Sequence, residues 1–174
     1  EERGLPHLRS AAEALPMLNS KKAQALFSKY GVLSPRELKA RYEVQLEKYV
    51  MTREIEARTL LTMITQQVQP AVTRYQSELG EAVAATKAAG RTSAVVTARL
   101  DDVLRLHEEL ATAEQAVRDG LATLPAALDR RTAHIATTVL PAMEAARAAS
   151  DALELLVPED LWPLPTYAEM LFNR

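Results

Sequence analysis

The chain has 174 residues, 48% of them apolar and 25% charged, with a formal charge of −2 and no cysteine. That length and balance suit one folded domain burying roughly 70% of its unfolded surface, and exclude wholesale disorder. The charge supplies no basic field for nucleic acid or anionic lipid, and without cysteine there is no disulfide, thiolate metal site or Cys nucleophile.

Ala, Leu, Glu, Arg and Gln dominate while Gly is rare and falls at plausible element ends, so the expected fold is all-α. Ser10 to Tyr30 contains Pro16 and reads as two short helices, the second, "NSKKAQALFSKYG", setting Leu26, Phe27 and Tyr30 near one face before a Gly31 cap. "SPRE" at 34 to 37 is a helix start: Ser34 is the N-cap, Pro35 takes the first helical position, and Glu37 completes a capping box. In the long helix that follows, Leu38, Tyr42, Leu46 and Tyr49 recur at helical spacing, and Leu60, Ile64, Val68, Val72, Tyr75 and Leu79 resume it. The polar "TREIEAR" between them is expected to be exposed or covered by another chain, and Pro70 to kink the helix or else mark a boundary.

Gly80 to Ser93 holds small residues and no anchor, and reads as the tip of a helical hairpin. From Val96 an apolar seam returns at Leu100, Val103, Leu110, Val117, Leu121 and Leu124, with His107 and Glu114 at the remaining seam positions. A last long helix is expected from about Pro125 to Val157, presenting Leu128, Ile135, Val139, Met143, Ala146, Leu153 and Val157 inward and kinked at Pro141. "WPLP" should be extended, because Trp162 and Leu164 each precede proline; Thr166 and Glu169 then form a second capping box for a short helix with Tyr167, Met170, Leu171 and Phe172. No repeat of about 20–50 residues is present, so a solenoid is not expected. The whole reads as an antiparallel helical bundle with a long hairpin and an extended C-terminal strap ending in a short helix. It forms one domain over 1–174: short helices in 1–33, long helices in 34–157 and a docking tail in 158–174.

No catalytic constellation emerges. His7, His107 and His134 are far apart, and the positions three residues before them, where a bundle metal centre needs Glu, hold Gly4, Leu104 and Arg131. Glu43 and Glu47 lie one turn apart but read as a solvated face, like the favourable pairs Glu37 with Arg41, Glu54 with Arg58 and Asp101 with Arg105. "DRR" at 129 to 131 reads as surface or ion-pair arginines. No Gly-rich phosphate loop, G-x-S-x-G elbow or H-E-x-x-H pair occurs. No catalytic, cofactor-binding or metal residue is therefore assigned. With no apolar run long enough for a bilayer and no signal-like start, neither membrane nor nucleic-acid partners are expected, and the expected location is the cytoplasm. The start at Glu1 suggests a fragment of a larger protein.

Three ordered blocks carry a resemblance: "LFSKYGVLSPRELKARYEVQLEKY" at 26 to 49, "IEARTLLTMITQQVQPAVTRY" at 55 to 75, and "LPAMEAARAASDALELLVPEDLWPLPTYAEMLF" at 140 to 172. Together they resemble the C-terminal extension of type III glutamine synthetases; Gly80 to Ser93 and the middle helix carry little of the match. The resemblance implies a parent enzyme that joins ammonia to glutamate with ATP and Mg through a glutamyl phosphate, its substrate and metal sites lying in preceding domains. For this segment it implies an accessory role in oligomer assembly or stability. The implied partners are the catalytic domains of the same parent chain and neighbouring subunits of a homo-oligomer.

Candidate interdomain or subunit contacts are Tyr42, Tyr49, Trp162, Leu164, Tyr167, Met170 and Phe172, with "TREIEAR" beside them. The apolar tail is expected to dock, on its own bundle in preference to the parent or a neighbouring subunit. The alternative is a stand-alone helical adaptor that binds a partner helix in a groove of the bundle. A small enzyme in its own right would need a polar cluster that the sequence does not offer.

Overall fold

The computed structural model describes residues 3, 4, 6–165 and 167–171, with Tyr167 and Ala168 described by their backbone, and every regular element among them is helical. The start signals work as their chemistry requires. Ser10 accepts the Glu13 N–H at 3.2 Å to open α1 (Ala11–Ala14), a 3₁₀ turn follows over Leu15–Asn19, and Ser20 accepts the Ala23 N–H at 3.2 Å to open α2 (Lys21–Lys29). Gly31, with φ +63°, takes the left-handed position after α2. At the head of α3 (Pro35–Met63) the Glu37 N–H donates to Ser34 Oγ at 3.3 Å, and the Ser34 N–H donates to Glu37 Oε2 at 2.8 Å. The Ser34 backbone N–H, followed by its hydroxyl, holds the Glu37 carboxyl below the usual carboxylate range.

Neither interior proline ends its helix. Ile64–Val68 form a π turn that runs on into α4 (Gln69–Ala88), the Gln69 N–H reaching back five residues to the Ile64 carbonyl. The same device joins α6 (Leu128–His134) to α7 (Leu140–Glu154) through Ile135–Val139, with the Leu140 N–H on the Ile135 carbonyl. Pro70 and Pro141 each stand two residues past their π turn. A proline ring clashes with the carbonyl four residues back and offers it no donor; widening the preceding turn lets the helix continue. The irregularity expected at the prolines thus sits one turn earlier.

Several expected boundaries move. α4 continues to Ala88, leaving 89–93 as the turn before α5 (Ala94–Ala122), because Glu81, Ala82, Ala84 and Ala85 are strong helix formers and Gly90, at φ +72°, is the first stop. Gly80 and Gly120 lie inside helices instead of at element ends. The last long helix opens at Leu128 and not at Pro125. The expected i, i+4 partners give way as well: Glu54 reaches Arg131 at 3.6 Å, and Arg105 pairs with Glu109 at 2.7 Å and Asp102 at 3.7 Å. Beyond the non-helical Pro163 to Pro165, α8 spans Tyr167–Leu171; Thr166, the expected cap, lies outside the described residues.

Packing divides the chain into two compact units, one of Glu1–Ala57 with Asp119–Pro141 and one of Arg58–Arg118 with Ala142–Arg174. The second unit holds one continuous apolar core. α4 contributes Val72 and Leu79 below Ile64 and Val68; α5 contributes Val103, Leu106, Leu110 and Ala113; α7 and the segment after it contribute Ala146, Ala149, Leu153, Val157 and Trp162. In the first unit Leu38, Leu46, Val50 and Ala57 of α3 are buried, as are Thr132, Ile135 and Val139. Among the described residues no helix is long and apolar enough to cross a membrane.

Candidate functional site

Two polar pairs cross the apolar seam of the α4/α5 hairpin. Gln69 Nε2 donates to Glu114 Oε2 at 2.7 Å, and Gln76 Nε2 lies 3.0 Å from His107 Nδ1. An amide nitrogen only donates, so Nδ1 accepts and the ring is neutral in this arrangement. Arg118 closes the first pair, its Nε and Nη2 donating to Glu114 Oε1 at 2.8 and 2.6 Å. Burial pushes the His107 imidazole below its ordinary value, partly opposed by the Glu108 carboxylate. Glu114 is only 9% exposed, and its ion pair and amide bond together satisfy the charge. These groups hold one another across the seam.

In the first unit the Tyr42 hydroxyl donates to Asp129 Oδ1 at 2.6 Å. Desolvation, and then the hydrogen bond and charge of Asp129, push the phenol up to about 12. Arg131 is held twice, its Nε donating to the Pro125 carbonyl at 2.7 Å and its guanidinium facing Glu54. His134 Nε2 lies 2.9 Å from the Gly120 carbonyl, to which it donates. Gly120 also lets Val139 come close to α5, since a Cβ there would stand 3.1 Å from Val139 Cγ2. Of "DRR", then, Asp129 and Arg131 have partners within their own unit. Glu43 and Glu47 are both exposed, and Glu43 stands 3.7 Å from Lys39.

The contact candidates fall into different settings. Tyr42 and Tyr49 are half-buried, and the Arg53 guanidinium stands 5.6 Å from the Tyr49 ring. Trp162 is buried in the core of the second unit, where Leu164 packs against the same cluster. A turn in which the Leu161 and Trp162 N–H groups both donate to the Pro158 carbonyl at 3.0 Å aims the indole inward. Its Nε1 is buried and, among the described residues, has no hydrogen-bond partner. Met170 and Leu171 of α8 are exposed; the Tyr167 side chain and Phe172 lie outside the described residues.

A surface that the periodicity argument passed over lies on the other side of α3. Val44, Met51 and Ile55, the last within "TREIEAR", stand at i, i+7 and i+11, opposite the buried Leu38, Leu46, Val50 and Ala57. Val44 also lines an apolar groove of about 580 Å³ with Leu18 and Phe27. The signal was present in the sequence as a second apolar stripe on one helix.

Among the described residues no three His, Cys, Asp or Glu side chains converge as a metal site would need. The described donors form no site for Mg, which the resemblance assigns to preceding domains of a parent enzyme, and no step of a ligation reaction is derived from them.

Residues 1–87 match the family model described as the glutamine synthetase C-terminal domain. The chain is 32% identical over 185 residues to the type-3 glutamine synthetase of Dictyostelium discoideum, covering 100% of this chain and 25% of that protein. Glutamine synthetases of Butyrivibrio fibrisolvens and Bacteroides fragilis (strain YCH46) are each 27% identical, covering 99% of this chain and 25% of their own length. The chain thus spans about a quarter of the length of these curated relatives. On the family-model match, the chain belongs to the glutamine synthetase C-terminal domain family.

Proposed function

We propose that this chain is the C-terminal accessory domain of a type III glutamine synthetase, where it supports assembly or stability of the enzyme while other domains carry the chemistry. The observation that carries this reading is the alignment of the entire chain with a quarter of a type-3 glutamine synthetase. The parent would ligate ammonia to glutamate with ATP and Mg, and the domain's partners would be the catalytic domains of its own chain and neighbouring subunits. Pairs such as Tyr42 with Asp129, Gln69 with Glu114 and His134 with the Gly120 carbonyl tie helices together within each unit, which supports a structural part for the domain.

The test begins with the intact mass of the natural gene product, followed by removal of this segment from it. A product of synthetase size whose truncated form loses subunit assembly or thermal stability, with glutamine formation falling as a consequence, is the expected result. A gene product no larger than this chain would overturn the reading and leave the helical adaptor in its place.

A further inference from the structure

We propose that the first unit holds a binding cavity for a small organic cation, an ammonium or guanidinium group on a compact apolar body, between α1, α3 and α6 with the π turn that follows it. The proposal goes beyond the domain reading above, which gives this segment no ligand of its own, and does not depend on it.

A cavity of about 410 Å³ lies within this unit, inside the range of about 300–1,000 Å³ that small-molecule pockets occupy. Most of its wall is apolar, with Pro16 on one side, Leu46 of α3 and Ala133, Ala136 and Leu140 on the other. Leu46 is 2% exposed, so this wall is anchored in the packing of the unit. Three polar side chains join it from three different helices: Glu13 of α1, Tyr42 of α3 and Asp129 of α6. A mainly apolar cavity onto which a few polar groups converge is the usual form of a ligand site.

The chemistry of the wall selects the ligand. Its side-chain donors are nearly all spent: the Tyr42 hydroxyl donates to Asp129, Thr132 to the Leu128 carbonyl at 3.0 Å, and Thr137 to the Ala133 carbonyl at 2.9 Å. Ser10 Oγ accepts the Glu13 N–H, which leaves its proton as the one hydroxyl donor to spare. Acceptors remain in excess. Glu13 holds the Arg9 backbone N–H through Oε2 and Asp129 holds Tyr42 through Oδ1, so each carboxylate keeps a second oxygen, and neither meets a cationic side chain among the described residues. No Lys, Arg or His lines the cavity. Of the cations on the surrounding elements, Lys39 pairs with Glu43, Arg41 lines the separate groove at Leu18 and Phe27, and Arg131 is held by the Pro125 carbonyl and Glu54. Arg9 and Arg130, next in sequence to Ser10 and Asp129, are not part of the wall. Two carboxylates, an aromatic ring and an apolar wall together suit a ligand that is cationic at one end and apolar at the other.

The experiment titrates benzylammonium into the full-length natural gene product by calorimetry, with benzyl alcohol and benzoate as neutral and anionic counterparts of similar size. Saturable binding of benzylammonium is expected, with both counterparts weaker by about tenfold or more. Asp129→Asn and Glu13→Gln keep the acceptors that Tyr42 and the Arg9 N–H use, and each is expected to weaken binding by about tenfold. Ala133→Leu narrows the cavity and leaves both charges in place, and is expected to weaken binding comparably. Each variant is titrated below its own thermal transition, so that loss of binding is separated from loss of fold. Absence of saturable binding, equal binding of the three probes, or binding that none of the three variants alters would each overturn the proposal, the last by locating the cation elsewhere in the full-length protein. Binding lost in Asp129→Asn but kept in Ala133→Leu would overturn the cavity as well, leaving only attraction to surface charge. A gene product of synthetase size that fails this test leaves the domain reading standing.

Discussion

Gln69 and Glu114 meet across the α4/α5 seam at 2.7 Å, and the Gln76 and His107 pair repeats that meeting seven residues along each helix in opposite directions. The two pairs fix one antiparallel register, because sliding either helix by a turn would leave four polar groups against an apolar core. Truncating Glu114→Ala strands the Gln69 amide and is expected to cost about 1–3 kcal/mol. Replacing both partners, as Gln69→Leu with Glu114→Leu, should cost less than the sum of the single changes, since neither polar group is then left unpaired. Chemical denaturation of the two single variants and the double variant measures the coupling; strictly additive losses would dissociate the pair from the register.

How much of this was readable beforehand varies with the physical signal. The seam residues Val103, Leu110 and Val117, and the capping box at Ser34, were legible because helical periodicity and capping chemistry are local properties. His107 and Glu114 stood out as seam positions, but Gln69 and Gln76 did not, since a partner across a hairpin depends on a register set by the turn at 89–93. Ala57 and Ala113, both buried, escaped a search for large anchors. The Val44, Met51 and Ile55 stripe was hidden by the stronger pattern of Leu38, Tyr42, Leu46 and Tyr49 on the same helix. The likeness to a synthetase domain came from ordered blocks, while the chemistry left nothing to read in the residues described.

Gly80 and Gly120 both interrupt helices, yet their surroundings differ. A Cβ at Gly80 meets nothing within 4 Å, whereas one at Gly120 meets Val139 Cγ2 at 3.1 Å, and Val139 has no exposure. Gly80→Ala should therefore stabilise by about 0.5–1 kcal/mol through helix propensity alone. At Gly120 the same gain is opposed by overpacking, and a larger Gly120→Leu should destabilise by about 1–3 kcal/mol. Thermal melting of the three variants decides it; a stabilising Gly120→Leu would mean that the approach of Val139 is loose.

His107 gives the domain a pH dependence with a definite sign. Burial lowers its folded pKa below the ordinary 6.5, so the unfolded chain binds the proton more readily. The neutral ring's contribution is complete above 6.5 and falls away as the pH drops through 6.5 toward the lower folded value. Stability measured across that window should decline on acidification, and His107→Gln should flatten the decline. An equally steep profile in the variant would assign it to other groups.

Tyr42 should report its bond to Asp129 spectroscopically. With its pKa pushed up to about 12, the phenol should remain neutral well past the ordinary value of 10, and Asp129→Asn should bring its ionisation to lower pH. Because the folded pKa is raised, this contribution is complete below 10 and is lost as the pH rises toward 12. Ultraviolet difference titration, with Tyr42→Phe identifying the signal, follows the phenolate directly; ionisation of Tyr42 near 10 would contradict the arrangement.

Trp162 is the only tryptophan, so its environment can be read without labels. At 8% exposure in the core beside Val157, it should emit at shorter wavelength than an indole in water. Trp162→Ala should cost about 3–5 kcal/mol, the range for removing a large aromatic from a core. Trp162→Phe should cost much less, because the smaller ring keeps most of the packing and removes a buried Nε1–H without a partner among the described residues. If the two variants are equally destabilised, the indole N–H makes a bond that the phenyl ring cannot replace, and a donor-dependent contact, in place of packing, anchors the tail.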